Sequence, residues 1–337
     1  MKGPIVCDIA GTRLTEEDKR RIAHPLVGMV ILFTRNYENR AQLKTLCDAI
    51  HAVKPGVLIS VDHEGGRVQR FRAGFTEIPA MRTYGKLFEV DPEQAKKSLR
   101  AAAFILAAEL RDCGVDFTFA PVLDLDWGRS AIIGERSLGK APAAVATLAR
   151  VVCEGFATAG MANCAKHFPG HGFAEADSHV SLPEDSRDAE EILSFDVSPY
   201  RALADVLASA MTAHVLYPKL DAVPASFSPK IATDILRRDA GFKGLLFSDD
   251  LSMAGAKAAG SIVTRAEKAL SAGCDALIVC NDPAAVDTLL LNLKWEETEE
   301  FTERAAKLKP ESWNVPFGEL AQNPEYQTAL KQMIVGI

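Results

Sequence analysis

Eight short apolar segments recur along the chain, with amphipathic stretches of helical spacing between them. These segments are predicted strands, at Ile5–Ile9, Gly28–Phe33, Val57–Val61, Phe117–Leu125, Asn163–Phe168, Ser209–Val215, Gly244–Ser248 and Ala276–Cys280. Strands that alternate with helices form parallel sheets, because a helical crossover returns the chain to the same edge. Eight such units predict an α/β fold, a single-domain TIM-like (β/α)8 barrel, with an open doubly wound sheet as the alternative.

The clearest helix is predicted from Pro92 to Cys113. Its apolar side chains recur at helical spacing, at Leu99, Ala103, Leu106 and Leu110. Asp91 is the predicted N-cap, because Pro92 suits the first helical position. Four helical stretches are predicted to stop at a glycine in the left-handed conformation, at Gly114, Gly160, Gly241 and Gly273.

Composition limits the classes of partner. The 337 residues carry a formal net charge of -7, which argues against nucleic acid or an anionic membrane surface as the main partner. The seven cysteines contain no CxxC pair, a pattern typical of reduced thiols in the cytosol. The first 14 residues lack the apolar core of a signal peptide. We therefore expect a cytoplasmic protein. We also expect a monomer that acts on a small-molecule substrate.

No shift in composition marks a linker. We therefore expect one catalytic barrel over residues 1–309 and a C-terminal tail over residues 310–337 that packs on the outside of the barrel.

Polar residues recur where the predicted strands end. Six strands carry such groups at the same end: Asp62, Asp124, Lys166 with His167, His214, Asp249 with Asp250, and Asn281. Buried strands disfavour these residues, and barrel active sites lie at the carboxyl ends of the strands. The alternative is that strand ends are simply where solvent begins, which accounts more easily for one or two sites than for six.

The densest cluster of titratable groups follows the fifth predicted strand. Lys166, three histidines and an aspartate fall within fourteen residues, at His167, His171, Asp177 and His179. Pro169 and two glycines turn the backbone here and allow it to approach a ligand closely. The segment is therefore predicted to form an active-site rim. A polar loop with local histidine pairs is the alternative.

Three groups could carry chemistry. Asp249 could be a nucleophile, a metal ligand or a base, whereas Asp250 alternatively caps a helix over residues 251–257. Asp177 stands two residues before His179, and a carboxylate so placed can fix the tautomer of an imidazole and raise its basicity. Asp62 could accept hydrogen bonds from hydroxyl groups. Nearby, Arg67 and Arg70 either pair internally or meet a polar ligand.

A metal site is the main competing interpretation. Its ligands would be His167, His171, His179, His214 and Asp249. Pro169 and Gly170 exclude the helix that would align His167 with His171. We expect neither a metal nor another cofactor.

Six motifs resemble those of one family. They are Val61–Phe71, Phe119–Leu125, Ile133–Ser137, Lys166–Gly172, Asp177–His179 and Phe247–Met253. In residue type, order and spacing the chain is similar to the glycoside hydrolase family 3 β-N-acetylhexosaminidases, the cytoplasmic peptidoglycan-recycling enzymes of Gram-negative bacteria. The resemblance spans residues 5 to 285 and leaves the segment beyond Lys309 without a family motif.

The resemblance implies a TIM-like barrel and a retaining glycosidase. It implies that Asp249 is the nucleophile and that His179 is the general acid/base, oriented by Asp177. It assigns sugar binding to Asp62, Arg70, Arg136, Lys166 and His167. The implied substrate is a β-linked, non-reducing terminal N-acetylglucosamine on 1,6-anhydro-N-acetylmuramyl peptides.

Two positions depart from the family pattern. Thr212 stands where the family often has proline, and Leu138 where a bulkier side chain is common. We expect both to affect the shape of the pocket rather than its chemistry. The chain also lacks the second α/β domain of the larger family members, so the acid/base has to come from a loop of the barrel, as His179 does. Two alternatives remain at this level: a metal-dependent barrel hydrolase, which a chelator would inactivate, and a non-catalytic muropeptide-binding barrel, which would tolerate loss of Asp249 or His179.

Overall fold

The computed structural model describes residues 1–175 and 182–333 of the chain. Within these ranges the strands are β1 Ile5–Cys7, β2 Val27–Leu32, β3 Leu58–Val61, β4 His63–Gly65, β5 Val68–Gln69, β6 Phe117–Thr118, β7 Cys164–Phe168, β8 Ser209–Thr212, β9 Leu245–Phe247 and β10 Leu277–Val279. Each of the eight predicted strand segments overlaps one of these strands, and seven of them contain it fully, whereas β2 begins one residue before its predicted segment.

Helices and loops connect the strands. The α-helices are α1 Glu16–Ala23, α2 Arg40–Val53, α3 Met81–Val90, α4 Pro92–Asp112, α5 Pro142–Thr158, α6 Ala189–Ser194, α7 Ser198–Ala202, α8 Ala254–Lys257, α9 Ile262–Ala272, α10 Pro283–Asn292, α11 Glu299–Ala306 and α12 Pro324–Gln332. Short 3-10 helices lie at Thr34–Asn36, Gly134–Arg136, Ala225–Phe227 and Leu320–Gln322, and a π-helix at Lys230–Asp239. Over the described ranges, no helix has both the length and the apolar character needed to cross a membrane.

The strands form two parallel sheets and one small hairpin. Five strands lie in the order β10-β1-β2-β3-β6, three in the order β7-β8-β9, and β4 pairs with β5 in antiparallel fashion. Isolated parallel bridges also join Phe117 to Ala162, Val122 to Lys166 and Phe247 to Ala276. The predicted α/β class with a mostly parallel sheet is therefore confirmed.

The fourth predicted strand is much shorter than expected. Regular pairing stops at Thr118, although Cys164 N still donates to Ala120 O at 2.7 Å and Leu123 N to Lys166 O at 2.8 Å. Pro121 lies between these bonds and has no N–H, so a continuous ladder cannot form there. The apolar residues of Phe117–Leu125 are buried, and this burial continues past Thr118, where the regular strand ends.

Alternate strand residues pack on opposite faces. Ile5 and Cys7 of β1 join a large apolar cluster with the surrounding helices, whereas Val6 belongs to a second cluster on the other face. Phe301 and Leu308, from α11 and just after it, join this second cluster. Lys307 Nζ donates to Lys243 O at 2.8 Å, which places α11 near the amino ends of the strands and leaves the carboxyl ends open.

Helix α4 begins at the predicted Pro92 with the predicted cap, and it ends one residue before the predicted Cys113. The Asp91 side chain accepts a hydrogen bond from Gln94 N at 3.1 Å, and Pro92 occupies the first turn. The predicted apolar stripe is buried throughout. The four predicted stop glycines all have positive φ, with 85° at Gly114, 65° at Gly160, 77° at Gly241 and 113° at Gly273.

Helix α12, in the C-terminal segment, contacts α4 through a buried hydrogen bond. Tyr326 Oη donates to Glu109 Oε1 at 2.6 Å. The same carboxylate accepts from the hydroxyl of Thr76 at 2.7 Å and from its backbone N at 2.9 Å. Glu109 therefore connects the C-terminal helix to the loop that follows β5.

Tyr326→Phe is expected to lower the free energy of unfolding by about 1.5–3 kcal/mol, because it removes a buried donor to a carboxylate. Urea denaturation measures the change. Thr328→Ala on the exposed face of α12 is the control and should stay within about 0.5 kcal/mol of the unsubstituted chain. Equal effects of the two changes would show that the Tyr326 hydrogen bond contributes nothing to stability.

Candidate active site

A cavity of about 310 Å³ lies at the carboxyl ends of the strands. It brings together six of the eight predicted site residues: Asp62, Arg70, Arg136, Lys166, His167 and Asp249. The other two, Asp177 and His179, lie outside the described residues. The walls of the cavity contain both charged groups and apolar side chains, such as Met211, Met253 and Ile278. This combination is typical of small-molecule sites.

Parallel pairing explains why distant residues meet here. Asp62 follows β3, Lys166 and His167 lie in β7, and Asp249 follows β9. Because the carboxyl ends of parallel strands share one edge, these residues project towards the same opening. Arg70 follows β5 and Arg136 ends a 3-10 helix, so both reach the cavity from loops.

Lys166 lies at the centre of a network of charged groups. Its Nζ is 2.8 Å from Asp62 Oδ1 and 2.7 Å from Glu64 Oε1. Burial alone would raise the pKa of Asp62, but the charges of Lys166 and Arg70 outweigh burial and hold that pKa below its usual value. For Lys166 the effects are reversed: burial would lower its pKa, and the charges of Asp62 and Glu64 raise it overall. Both Lys166 and Asp62 therefore stay ionised at neutral pH.

Asp124 organises the segment that follows β7. Its Oδ2 is 2.6 Å from His167 Nδ1, and its Oδ1 accepts from the backbone N of His167 at 3.1 Å and of His171 at 2.7 Å. Burial would raise the pKa of Asp124, but His167 outweighs it and the pKa is lowered overall. With Nδ1 engaged, His167 has Nε2 left for a ligand. The sequence placed Asp124 at a strand end and gave no hint of its partners.

Asp249 and Asp250 both line the cavity, but Asp250 is the more fully engaged carboxylate. It accepts from Ser252 N at 2.9 Å, Ser252 Oγ at 2.7 Å, Cys280 N at 3.2 Å and Cys280 Sγ at 3.0 Å. The helix-capping alternative for Asp250 is wrong, because α8 begins at Ala254 with Met253 at its N-cap. Within the described ranges, Asp249 accepts one hydrogen bond, from Asp250 N at 2.8 Å. Asp249 is therefore the more available carboxylate.

His214 contacts the backbone of Asp250. Its Nε2 is 3.0 Å from Asp250 O, and its ring stacks on Phe227 at a centroid distance of 5.7 Å. It is not among the residues that line the cavity in the described part of the chain. Across residues 1–175 and 182–333, no group of three or more His, Cys, Asp or Glu side chains is arranged to hold a metal ion.

The two departures from the family pattern lie away from the cavity. Thr212 is fully buried and donates to Ser226 Oγ at 2.9 Å, and Leu138 packs in the apolar core. Neither is among the described residues that line the cavity. The expectation that they affect the pocket shape stays a prediction, and such an effect would act through neighbouring residues.

Arg187 packs against two aromatic side chains. The Arg187 guanidinium lies 4.3 Å from the ring centroid of Trp127 and 4.4 Å from that of Phe173. Arg187 also pairs with Asp185 at 2.6 Å and with Asp196 at 2.9 Å. Burial raises the pKa of Asp196 to about 6, since the one guanidinium it pairs with is shared with Asp185.

Asp196→Asn is expected to change the pH dependence of stability. The pKa of Asp196 is about 6 in the folded chain and about 3.9 in an unfolded one. Between these values the folded state binds more protons, so this carboxyl lowers stability as the pH rises from 4 to 6. The variant loses that decrease and should gain on the order of 2–3 kcal/mol relative to the unsubstituted chain between pH 4 and pH 7.

Urea denaturation at several pH values between 4.5 and 7.5 measures this difference. Asp234→Asn, at an exposed pair with Arg238, is the control and should show no trend across the same range. A difference between Asp196→Asn and the unsubstituted chain that does not vary with pH would contradict the prediction.

Comparison with known proteins identifies the family. The sequence model for the N-terminal domain of glycosyl hydrolase family 3 matches residues 5–309. Two relatives carry the name Beta-hexosaminidase. One, from Bordetella avium, is 51% identical over 97% of this chain and 94% of its own length. The other, from Methylobacillus flagellatus, is 48% identical over 98% of this chain and 95% of its own length.

A solved structure agrees with these matches. NagZ from Neisseria gonorrhoeae, in complex with N-trifluoroacetyl-D-glucosamine, superposes with a TM-score of 0.93 at 44% identity and covers 98% of this chain and 97% of its own. The similarity extends over nearly the full length of both chains. The chain therefore belongs to glycosyl hydrolase family 3 and is a β-hexosaminidase of that family, as its motifs predicted.

Proposed function

We propose that the chain is a retaining exo-glycosidase that removes non-reducing terminal β-N-acetylglucosamine from 1,6-anhydro-muropeptides during peptidoglycan recycling. The observation that carries the proposal is the meeting of Asp249 with five predicted sugar-binding residues in one cavity. The ligand of the gonococcal NagZ structure, an N-acylated glucosamine, supports the choice of sugar.

The mechanism has two displacement steps. In the first, an Asp249 oxygen attacks the anomeric carbon, the bond to the glycosidic oxygen breaks, and His179 gives its proton to the leaving oxygen. In the second, water attacks the anomeric carbon, His179 takes a proton from it, and the Asp249 ester bond breaks. Asp177 orients His179 throughout. The two inversions together retain the anomeric configuration.

A histidine suits the acid/base role in this arrangement. Retaining glycosidases normally use two carboxyl groups about 5 Å apart, whose like charges tie their pKa values together. Replacing one with an imidazole removes that repulsion. An imidazole with a pKa of about 6.5 can give and take a proton near pH 7 without deep burial.

The charged network around Lys166 suits a sugar ligand. Asp62 can accept from sugar hydroxyls, while Lys166, Arg70 and Arg136 can donate to them. Hydrogen bonds to charged groups contribute about 1.5–3 kcal/mol each.

Further expectations concern assembly and location. We propose that the two parallel sheets close into one barrel over residues 1–309, supported by the isolated bridges between β6 and β7 and between β9 and β10. Residues 310–337 would form the tail on its outside.

A cytoplasmic location is supported by seven free, buried cysteines. We also propose that the chain is a monomer, which light scattering would test.

The test is turnover of an aryl β-N-acetylglucosaminide beside the matching β-glucoside, in buffer with excess chelator. Release from the N-acetyl sugar alone is expected. Release from both would contradict the N-acetyl specificity. Release that requires added metal would favour the metal-dependent alternative, and no release under any condition would overturn the proposed function.

A further inference from the structure

Glu64 contacts two of the predicted sugar-binding side chains, although the sequence gave it no role. Its Oε1 is 2.7 Å from Lys166 Nζ and accepts from an Arg136 terminal nitrogen at 2.8 Å, and its Oε2 accepts from Arg136 Nε at 2.8 Å. The Glu64 side chain is 2% exposed. Both carboxylate oxygens are therefore committed to these two cations.

The strand geometry directs Glu64 to this position. It is the middle residue of β4, so its side chain points away from those of its neighbours. His63 on the other face packs against Phe71 and Phe75, with ring centroids 5.8 and 5.6 Å away. On the side away from the sugar cavity, Glu64 borders apolar residues that include Leu106. Little water competes here, so each ionic contact is strong.

Glu64 separates two like charges. Arg136 and Lys166 are both cations, and the charge of Arg136 opposes the overall rise in the pKa of Lys166. Burial would raise the pKa of Glu64, but Arg136 and Lys166 outweigh it and hold the pKa far below its usual value. Glu64 therefore remains a shared anion between Arg136 and Lys166.

We propose that Glu64 is a positioning residue that fixes Arg136 and Lys166 for contact with the sugar. Lys166 reaches Asp62 through Oδ1, and Asp62 Oδ2 lies 3.7 Å from Arg70, beyond hydrogen-bond range. Because Glu64 holds Lys166 on one side, Asp62 keeps Oδ2 for a sugar hydroxyl. This inference rests on the proposed function and adds a residue to its binding site.

Glu64→Gln keeps the shape and removes the charge. The amide of the glutamine also brings an NH2 group next to Lys166 and Arg136. Neither cation has a lone pair that could accept a hydrogen bond from it, so one contact is lost. We expect the inhibition constant of N-acetylglucosamine and the KM of an aryl N-acetylglucosaminide to rise together, by about 10- to 100-fold. Lys166 then keeps only Asp62 as a close anion, so the alkaline limb in the pH profile of the inhibition constant, which requires no proton from His179, should move to lower pH.

A second buried carboxylate is the matched control. Asp116 is 3.0 Å from Arg111 and 3.1 Å from His51, and it does not belong to the cavity lining in the described ranges. Asp116→Asn should lower the Tm without changing the inhibition constant or the alkaline limb. Comparison of the two variants separates positioning from a general contribution to folding.

Glu64→Asp tests the charge separately and serves if the glutamine variant does not fold. It keeps the anion one methylene further away, so the alkaline limb should return towards that of the unsubstituted chain while the inhibition constant stays raised. Either variant with an unchanged inhibition constant and an unchanged limb would overturn the proposal. If the unsubstituted chain lacked turnover, the proposed function would fail, and calorimetric binding of N-acetylglucosamine to it and to Glu64→Gln would still decide the role of Glu64.

Discussion

Asp249→Ala is expected to lower turnover by on the order of 10⁴-fold or more, because it removes the proposed nucleophile, which a neighbouring carboxylate would have to replace. Asp250 cannot do so, since its oxygens are engaged by Ser252 and Cys280. The fold should survive. Among the described residues Asp249 accepts one hydrogen bond, from Asp250 N, so the free energy of unfolding should change by about 1 kcal/mol or less.

Two measurements check this prediction. Steady-state turnover gives the loss of rate, with the exposed Asp239→Ala as a control that should keep full activity. A fluorinated N-acetylglucosaminide that forms a slow glycosyl-enzyme should add its mass to the peptide containing Asp249, and the alanine variant should gain no mass. Substantial turnover by Asp249→Ala, or a label on another residue, would rule out Asp249 as the nucleophile.

His179→Ala is expected to affect substrates according to their leaving groups. A sugar leaving group needs a proton as the glycosidic bond breaks, so kcat/KM should fall by about 10²- to 10⁴-fold. An activated aryl leaving group departs without that proton, and its kcat/KM should fall by about 10-fold or less. With the activated substrate the glycosyl-enzyme should accumulate, because water has lost its base.

The measurement compares kcat/KM for a disaccharide and for a dinitrophenyl N-acetylglucosaminide. His24→Ala, beyond the end of α1, is the control and should leave both values unchanged. A burst of dinitrophenol is expected from His179→Ala. Equal losses on both substrates would indicate that His179 does not act as the acid.

Local sequence patterns account for the fold class. Alternating apolar segments and helical periodicity arise from interactions within a few residues, so the eight strands, the Asp91 cap and the four stop glycines could be predicted. Strand ends could not. The segment Phe117–Leu125 is apolar at most positions, yet regular pairing ends at Thr118. Pro121 has no N–H to donate, and this matters only where a partner strand lies beside it.

Among the site residues, too, the sequence indicated some features and left others to the tertiary structure. The sequence by itself marked Asp62, Lys166, His167 and Asp249, because titratable groups at the ends of apolar strands stand out locally. It also supplied the motifs that identify the family. Their meeting in one cavity follows from parallel pairing, which the alternation of elements already implied.

Only the tertiary structure decided which charges pair. Glu64 meets Arg136 from 72 positions away, and Asp124 meets His167 from 43 positions away. The sequence offered a helix cap as the alternative role of Asp250, whereas its side chain accepts hydrogen bonds from Cys280, 30 positions away. The physical reason is that a buried ion pair depends on where two distant backbone segments place their side chains, and no short-range pattern records that placement.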